Sequence, residues 1–187
     1  IVGANGTGKT TLMRDILRNN HPSIHIHENT SYACLSQLQG ENIDETKTVY
    51  EVMENVGFET RESIREYLGN YCLESDTLKQ KVGQLSGGNQ QKVVIGKWIA
   101  AESDIYLFDE PMQGVDVGAK QELFALIREL AEKGAAVLYA SCDVSELLAV
   151  TDRIYTLYDG RVTAELDTHE TNEKELTYYV IKDHNGG

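Results

Sequence analysis

Gly3-Ala4-Asn5-Gly6-Thr7-Gly8-Lys9-Thr10 fits the pattern G-x-x-x-x-G-K-[ST] of the phosphate-binding P-loop. The glycines let the backbone turn tightly and aim its N–H groups at a phosphate chain. Lys9 adds a positive charge for the β- and γ-phosphates, and the Thr10 hydroxyl is placed to ligate Mg²⁺. Thr11 to Leu17 reads as a helix with Leu12, Met13, Ile16 and Leu17 on one face. Its N-terminus would direct a positive dipole end at the same phosphates.

Ile1 and Val2 are expected to be the last residues of the strand that feeds this loop. Earlier strands of such a domain would lie upstream, so the chain reads as a fragment. Its 187 residues fit one domain, or one domain with a subdomain. Hydrophobic residues make up 41%, enough for a core, and no apolar run is long enough to span a bilayer. No signal peptide or membrane anchor is expected. Cys34, Cys72 and Cys142 form no C-x-x-C pair and read as free thiols in a reducing cytoplasm. A net charge of −13 argues against a nucleic-acid surface, which needs Lys and Arg to neutralise phosphates. It leaves nucleotide binding open, because a P-loop works through local N–H groups and one lysine.

Downstream, Ser23-Ile24-His25-Ile26-His27 alternates with the period of a strand. His25 and His27 read as a solvent-facing edge rather than a chelate, since no Cys or carboxylate partner has matching spacing. Ser31 to Gln37 is a second apolar strand. Its terminal Gln37, with Gln39 as a nearby competitor, stands where a P-loop protein can reach Mg²⁺ and the attacking water. Between Thr48 and Gln84, Val49, Val52, Met53, Val56, Ile64, Tyr67 and Leu68 have helical spacing among charged residues. This predicts a small helical subdomain inserted into the nucleotide-binding fold.

Leu85-Ser86-Gly87-Gly88-Asn89-Gln90-Gln91-Lys92 then opens an apolar helix. Its free N–H groups and the Ser86 hydroxyl again suit an anion. Two phosphate-type sites in one short chain make sense if each completes the other across a dimer. Ile105 to Phe108 is a buried-type strand running into Asp109-Glu110-Pro111. In a P-loop enzyme the first acid serves Mg²⁺ and the second acts as general base toward water. The remainder predicts a helix over 119–133 stopped by Gly134, a strand over 135–140, and a short helix with Leu147 and Leu148. A hairpin around Asp159-Gly160 and a last helix near Glu173 to Ile181 complete the chain.

The P-loop, the Gln-ended strand, LSGGNQQK, and FDEP followed by Gly114-Val115-Asp116 together resemble an ATP-binding cassette (ABC) ATPase. The resemblance covers essentially the whole chain. It implies an α/β P-loop NTPase with a RecA-like core (1–47 and 96–166), an inserted helical subdomain (48–95) and a tail (167–187). It also implies two cassettes that sandwich two ATP molecules. Gly3, Asn5, Gly6, Thr7, Gly8, Lys9, Thr10 and Thr11 would then bind ATP. Thr10, Gln37 and Asp109 would hold Mg²⁺, with Gln37 also near the reacting water and Glu110 as base. Ser86, Gly87, Gly88 and Gln90 would face ATP on the opposite cassette, and Asp116 would couple the two sites.

The second half is similar to the C-terminal cassette of monosaccharide importers. That likeness implies a cytoplasmic subunit on the inner face of the membrane, driving a permease. Tyr67-Leu68-Gly69 and Lys81-Val82-Gly83-Gln84 resemble instead the ABC-F proteins of the ribosome. Those need basic surface and usually carry Asn-His or a similar pair where Gln113-Gly114 stands; both features are wrong here. A third reading is an ATP-gated dimerisation module that does not hydrolyse. It draws support from Cys142, which stands where the family usually has a histidine contacting the γ-phosphate. Glu110 opposes it. A neutral thiol is a weak donor, so slow turnover on this P-loop is expected. The aromatic that stacks on adenine is expected upstream.

Overall fold

The computed structural model describes residues 1–19, 21–36, 43–100, 102–113, 115 and 117–181. In chain order its elements are α1 (Lys9–Arg18), β1 (Tyr32–Ser36), α2 (Val49–Glu54), α3 (Arg61–Gly69) and α4 (Gly87–Ala100). There follow β2 (Ile105–Asp109), α5 (Val117–Glu132), β3 (Ala136–Ala140), α6 (Val144–Val150), β4 (Arg153–Tyr158), β5 (Arg161–Asp167) and α7 (Glu173–Ile181). They sort into two compact units, one of residues 1–37, 105–111 and 136–187, the other of 38–104 and 112–135.

The first unit is built on a parallel sheet in the order β1-β2-β3, with Ile105 opposite both Tyr32 and Ala136. Tyr106, Leu107 and Phe108 are all buried, the continuous apolar run of a strand covered on both faces. The β4–β5 hairpin is antiparallel and turns at Asp159 (φ 46°) and Gly160 (φ 71°). Positive φ at both positions gives the twist a tight hairpin needs. Val2 joins the two sheets. It bridges Ser141 and Thr156, with its N–H on Tyr155 O at 2.9 Å and its carbonyl accepting Leu157 N–H at 2.7 Å. Ile1, Met13, Cys34, Leu107, Ala140 and Leu157 form the core beneath, against the apolar face of α1. α1 ends at Asn19 in the left-handed conformation, with φ 45° and its N–H on Ile16 O.

The expected strand over Ser23 to His27 does not form. His21 and His27 instead accept local N–H bonds from Ser23 (3.2 Å) and Asn29 (3.4 Å) through Nδ1. Ile24 and Ile26 are half-buried and both histidines exposed, so the alternation survives without a ladder. Period 2 only reports two faces, and a strand also needs a neighbour to take its N–H and C=O groups.

In the second unit, α2 starts at a capping box. Thr48 N–H donates to Glu51 Oε2 at 2.7 Å, and Glu51 N–H returns a bond to Thr48 Oγ1 at 3.3 Å. Thr60 caps α3 in the same sense, accepting from Ser63 N–H at 3.1 Å. Thr48 pairs with Lys81, and Gly83 N–H reaches Glu45 O at 3.1 Å. The stretches around Thr48 and Lys81 therefore lie side by side. Val49, Val52, Met53, Ile64, Leu68 and Leu78 form its interior, and the Tyr67 hydroxyl donates to Gly96 O of α4 at 2.9 Å. Leu68 is fully buried. Leu68→Ala should lower stability by about 2–5 kcal/mol in urea titration, the range for buried leucine truncations; a midpoint equal to wild type would place Leu68 outside the core.

Cys34, Cys72 and Cys142 form no disulfide. No helix among the described residues is long and apolar enough to cross a membrane.

Candidate functional site

Gly6 and Gly8 adopt φ of +85° and +105°, the region that a side chain disfavours, so the loop curls back onto α1. The Lys9 ammonium is buried. It donates to Gly3 O at 2.7 Å and Ala4 O at 3.3 Å, and so spans the inside of the loop. Thr7 is buried and closes the loop by donating to Ala4 O at 2.9 Å. Its carbonyl accepts Gly160 N–H at 2.9 Å, so the hairpin turn braces the loop. Asn5, Gly6 and Thr11 are exposed, and Thr10 is half-buried.

The end of β2 meets the loop. The Thr10 hydroxyl donates to Asp109 Oδ2 at 2.8 Å, and Glu110 Oε1 lies 3.5 Å from the Lys9 ammonium. Asp109 Oδ1 and Glu110 Oε1 are buried and accept no hydrogen bond. A buried carboxylate oxygen without a donor is costly unless a cation or water serves it. Glu110 also holds a left-handed backbone, φ 51°, with its N–H tied to Ala140 O at 2.9 Å. A non-glycine residue there stores strain of about 1–3 kcal/mol, a cost that clusters at functional positions.

The end of β3 supplies the third side. Ser141 Oγ lies 3.3 Å from Glu110 Oε2 and 2.9 Å from Glu146 Oε2, and it accepts Asp143 N–H at 3.0 Å. The Tyr139 hydroxyl donates to Glu146 Oε2 at 3.1 Å. Asp143 caps α6 and thereby sets where Glu146 falls. Cys142 is next to Glu110. Partial burial pushes its thiol up from the ordinary value, and the Glu110 carboxylate, by its charge and a hydrogen bond, pushes it further. The group is thus a neutral thiol near pH 7.

In the helical unit, Ser86 and Gly87 are exposed and Gly88 is buried at the start of α4. Ser86 Oγ accepts Asn89 N–H at 3.3 Å. The Gln90 amide donates to Val82 O at 3.0 Å and Leu85 O at 3.2 Å, so this side chain fixes the turn that presents Ser86 to Gly88. Gln37, Gln39 and Asp116 lie outside the described residues.

A family model described as "ABC transporter" matches residues 1–113. The chain belongs to the ABC transporter family. The ribose import ATP-binding protein RbsA 1 of Mesorhizobium japonicum is 37% identical over 159 residues, 85% of this chain and 29% of that protein. The arabinose import ATP-binding protein AraG of Vibrio parahaemolyticus is 49% identical over 98 residues, 52% of this chain and 19% of that protein. The chain thus spans less than a third of the length of these relatives. Among solved structures, an ATP-binding cassette of an ABC transporter superposes with a TM-score of 0.76 at 21% identity, over 97% of this chain and 86% of the other. A dimeric bacterial ABC transporter cassette gives 0.71 at 24% identity, over 89% and 83%. At such identities the likeness establishes the fold: a P-loop NTPase of the ABC cassette type.

The structure brings Lys9, Thr10, Asp109 and Glu110 together. Ser141, Tyr139 and Glu146 were not singled out from sequence. The available signal was that Ser141 stands two residues after Tyr139, just past β3, in the period that puts two side chains on one face. Nothing in the residue types shows that Glu146 turns inward.

Proposed function

We propose that this chain binds and hydrolyses ATP as a cassette of an importer for a sugar-like solute. The observation that carries the catalytic part is the buried Asp109 Oδ1, which accepts no hydrogen bond, beside Thr10, with the buried Glu110 Oε1 facing the Lys9 ammonium. A hydroxyl and a carboxylate held 2.8 Å apart form an oxygen donor set of the kind Mg²⁺ takes. Thr10 and Asp109, with Gln37, would hold that ion, which when bound neutralises charge between the β- and γ-phosphates. The amides of Gly3 to Thr11 would cradle the phosphate chain, and Lys9 would turn from the loop carbonyls to the phosphate oxygens. Glu110 would orient the attacking water and take its proton.

Ser86, Gly87 and Gly88, held by Gln90, would serve ATP bound by a second cassette, and Asp116 would couple the two sites. The domain reading of a RecA-like core with an inserted helical subdomain goes with this. Support for sugar import lies in the names of the relatives, and support for pairing in the cassette solved as a dimer. A membrane permease, and a place on the inner face of the membrane, follow from that reading.

Cys142 favours a second reading, an ATP-gated dimerisation module with little turnover. A protonated thiol donates weakly and gives the γ-phosphate little to hold. Cys142→His tests the choice. If Cys142 is what holds turnover down, as the second reading has it, the substitution raises Mg²⁺-dependent phosphate release by about 10-fold or more. An unchanged rate would show that the residue here does not limit hydrolysis.

A further inference from the structure

We infer that Thr156 and Thr163 are positioning residues for the P-loop, their hydroxyls pinning a bulge in the β4–β5 hairpin that aims its turn at the loop. This rests on the reading of the P-loop as the nucleotide site. The bulge shows in the register. Tyr158 pairs with Arg161 and Leu157 with Val162, but Thr156 pairs with Ala164, so Thr163 is an extra residue on β5. An extra residue of this kind bends its strand and increases the local twist, and so re-aims what lies beyond it.

Beyond it lies the turn that braces the loop. The bulge falls where β4 also takes Val2 on its other edge, through Val2 N–H to Tyr155 O and Leu157 N–H to Val2 O. Val2 leads directly into Gly3, so loop and hairpin are tied at their common base. From there the hairpin tip runs along the loop. A Cβ on Gly3 would stand 2.5 Å from Leu157 O, and one on Gly8 would stand 3.5 Å from Gly160 Cα. The Gly160 N–H donates to Thr7 O at 2.9 Å. That bond has one direction, and the twist of the hairpin sets whether Gly160 meets it.

The two hydroxyls hold the bulge from both strands. Thr156 is fully buried and Thr163 half-buried, and their Oγ1 atoms lie 2.7 Å apart. Each hydroxyl has one proton to donate. Whichever donates across that gap, the other still faces a carbonyl over the bulge. Thr163 reaches Thr156 O at 3.2 Å, and Thr156 reaches Ala164 O at 3.4 Å. Both protons are therefore placed in either arrangement, and each bond spans the point where the ladder slips. Valine at 163 keeps the shape and the strand preference but leaves the buried Thr156 hydroxyl only the longer bond to Ala164 O. The bulge is then no longer pinned.

The test compares Thr163→Val, Thr163→Ser and Thr156→Val with the unmodified full chain. Thr168→Val is the control, since the Thr168 hydroxyl bonds Thr151 O at 2.8 Å and Asp152 O at 2.9 Å at the far end of the same hairpin. ATP titration, hydrogen exchange of the Gly160 amide without nucleotide, and phosphate release at saturating ATP are the readouts. Thr163→Val should raise Kd for ATP by about fivefold or more, the factor that one lost hydrogen bond carries. Exchange at Gly160 should quicken by a similar factor, while kcat stays within about twofold. Thr163→Ser, which keeps the hydroxyl, should bind as the unmodified chain does. Thr168→Val should leave both Kd and Gly160 exchange within about twofold, since its bonds lie away from the bulge. Unchanged affinity in Thr163→Val, a Ser variant as weak as Val, or an equal loss in Thr168→Val would each overturn the inference and leave the nucleotide reading standing. No ATP binding by the unmodified chain would remove that reading and the inference with it. Should Thr163→Val not fold, Thr156→Val decides the question by the same comparison.

Discussion

Glu110→Gln should abolish Mg²⁺-dependent phosphate release, by about 100-fold or more, while ATP still binds. The magnitude is that of removing a positioned general base. The substitution keeps the shape of the side chain and the strained backbone, φ 51°, so the strand end should hold. It also removes a negative charge 3.5 Å from the Lys9 ammonium. Lys9 is then less drawn to the protein and more available to a polyphosphate, so the dissociation constant for ATP should be unchanged or lower. Release and binding are to be measured on the same preparation at high chain concentration, since the proposed competent site needs two cassettes face to face. Release persisting to within a few-fold of wild type would mean that some other group takes the proton.

Gly3→Ala should cost the chain its nucleotide affinity by about 10-fold or more and lower its stability by about 1–3 kcal/mol, the range for overpacking a close contact. A Cβ at this position would lie 2.5 Å from Leu157 O and 2.5 Å from Thr7 Oγ1. Neither neighbour has room to retreat. Leu157 is bonded through its N–H to Val2 O at 2.7 Å, and the Thr7 hydroxyl is committed to Ala4 O. The loop must therefore move off the hairpin, which breaks the bond from Gly160 N–H to Thr7 O. Gly6→Ala is the useful contrast, since a Cβ there meets nothing within 4 Å and only the φ of +85° is disfavoured. Its stability loss should stay near 1 kcal/mol. Thermal denaturation and ATP titration of the two variants check both parts. Equal losses would show that backbone conformation, not the contact with the hairpin, decides the matter.

Much of this chain was legible because its signals are local. The hairpin was readable from Asp159-Gly160, whose positive φ values are a property of two residues. α7 runs over Glu173–Ile181, where the Glu- and Lys-rich tail offered a short helix. The helices after Thr48 were legible from their apolar spacing, and α2 and α3 stand there. The error at Ser23 to His27 has the opposite origin. Alternation of Ile and His is local, whereas a strand is a relation between two segments, and no ladder forms there among the described residues.

The site divides along the same line. P-loop chemistry is written in residue types at fixed spacing: glycines that permit φ of +85° and +105°, one lysine, one hydroxyl. The acids after an apolar strand are legible too, because Asp109 and Glu110 break the apolar run of Ile105 to Phe108. These depend on short stretches of chain, so the sequence alone determined them, and with them the family. The distance between Lys9 and Glu110, the brace of Gly160 on Thr7, and the inward turn of Glu146 toward Ser141 join positions far apart in sequence. Only the tertiary structure decided those, because burial and hydrogen-bond partners are set by which segments the fold packs together. The same carboxylate that a helix would show to water becomes, on the first turn of α6, a buried acceptor for Tyr139 and Ser141.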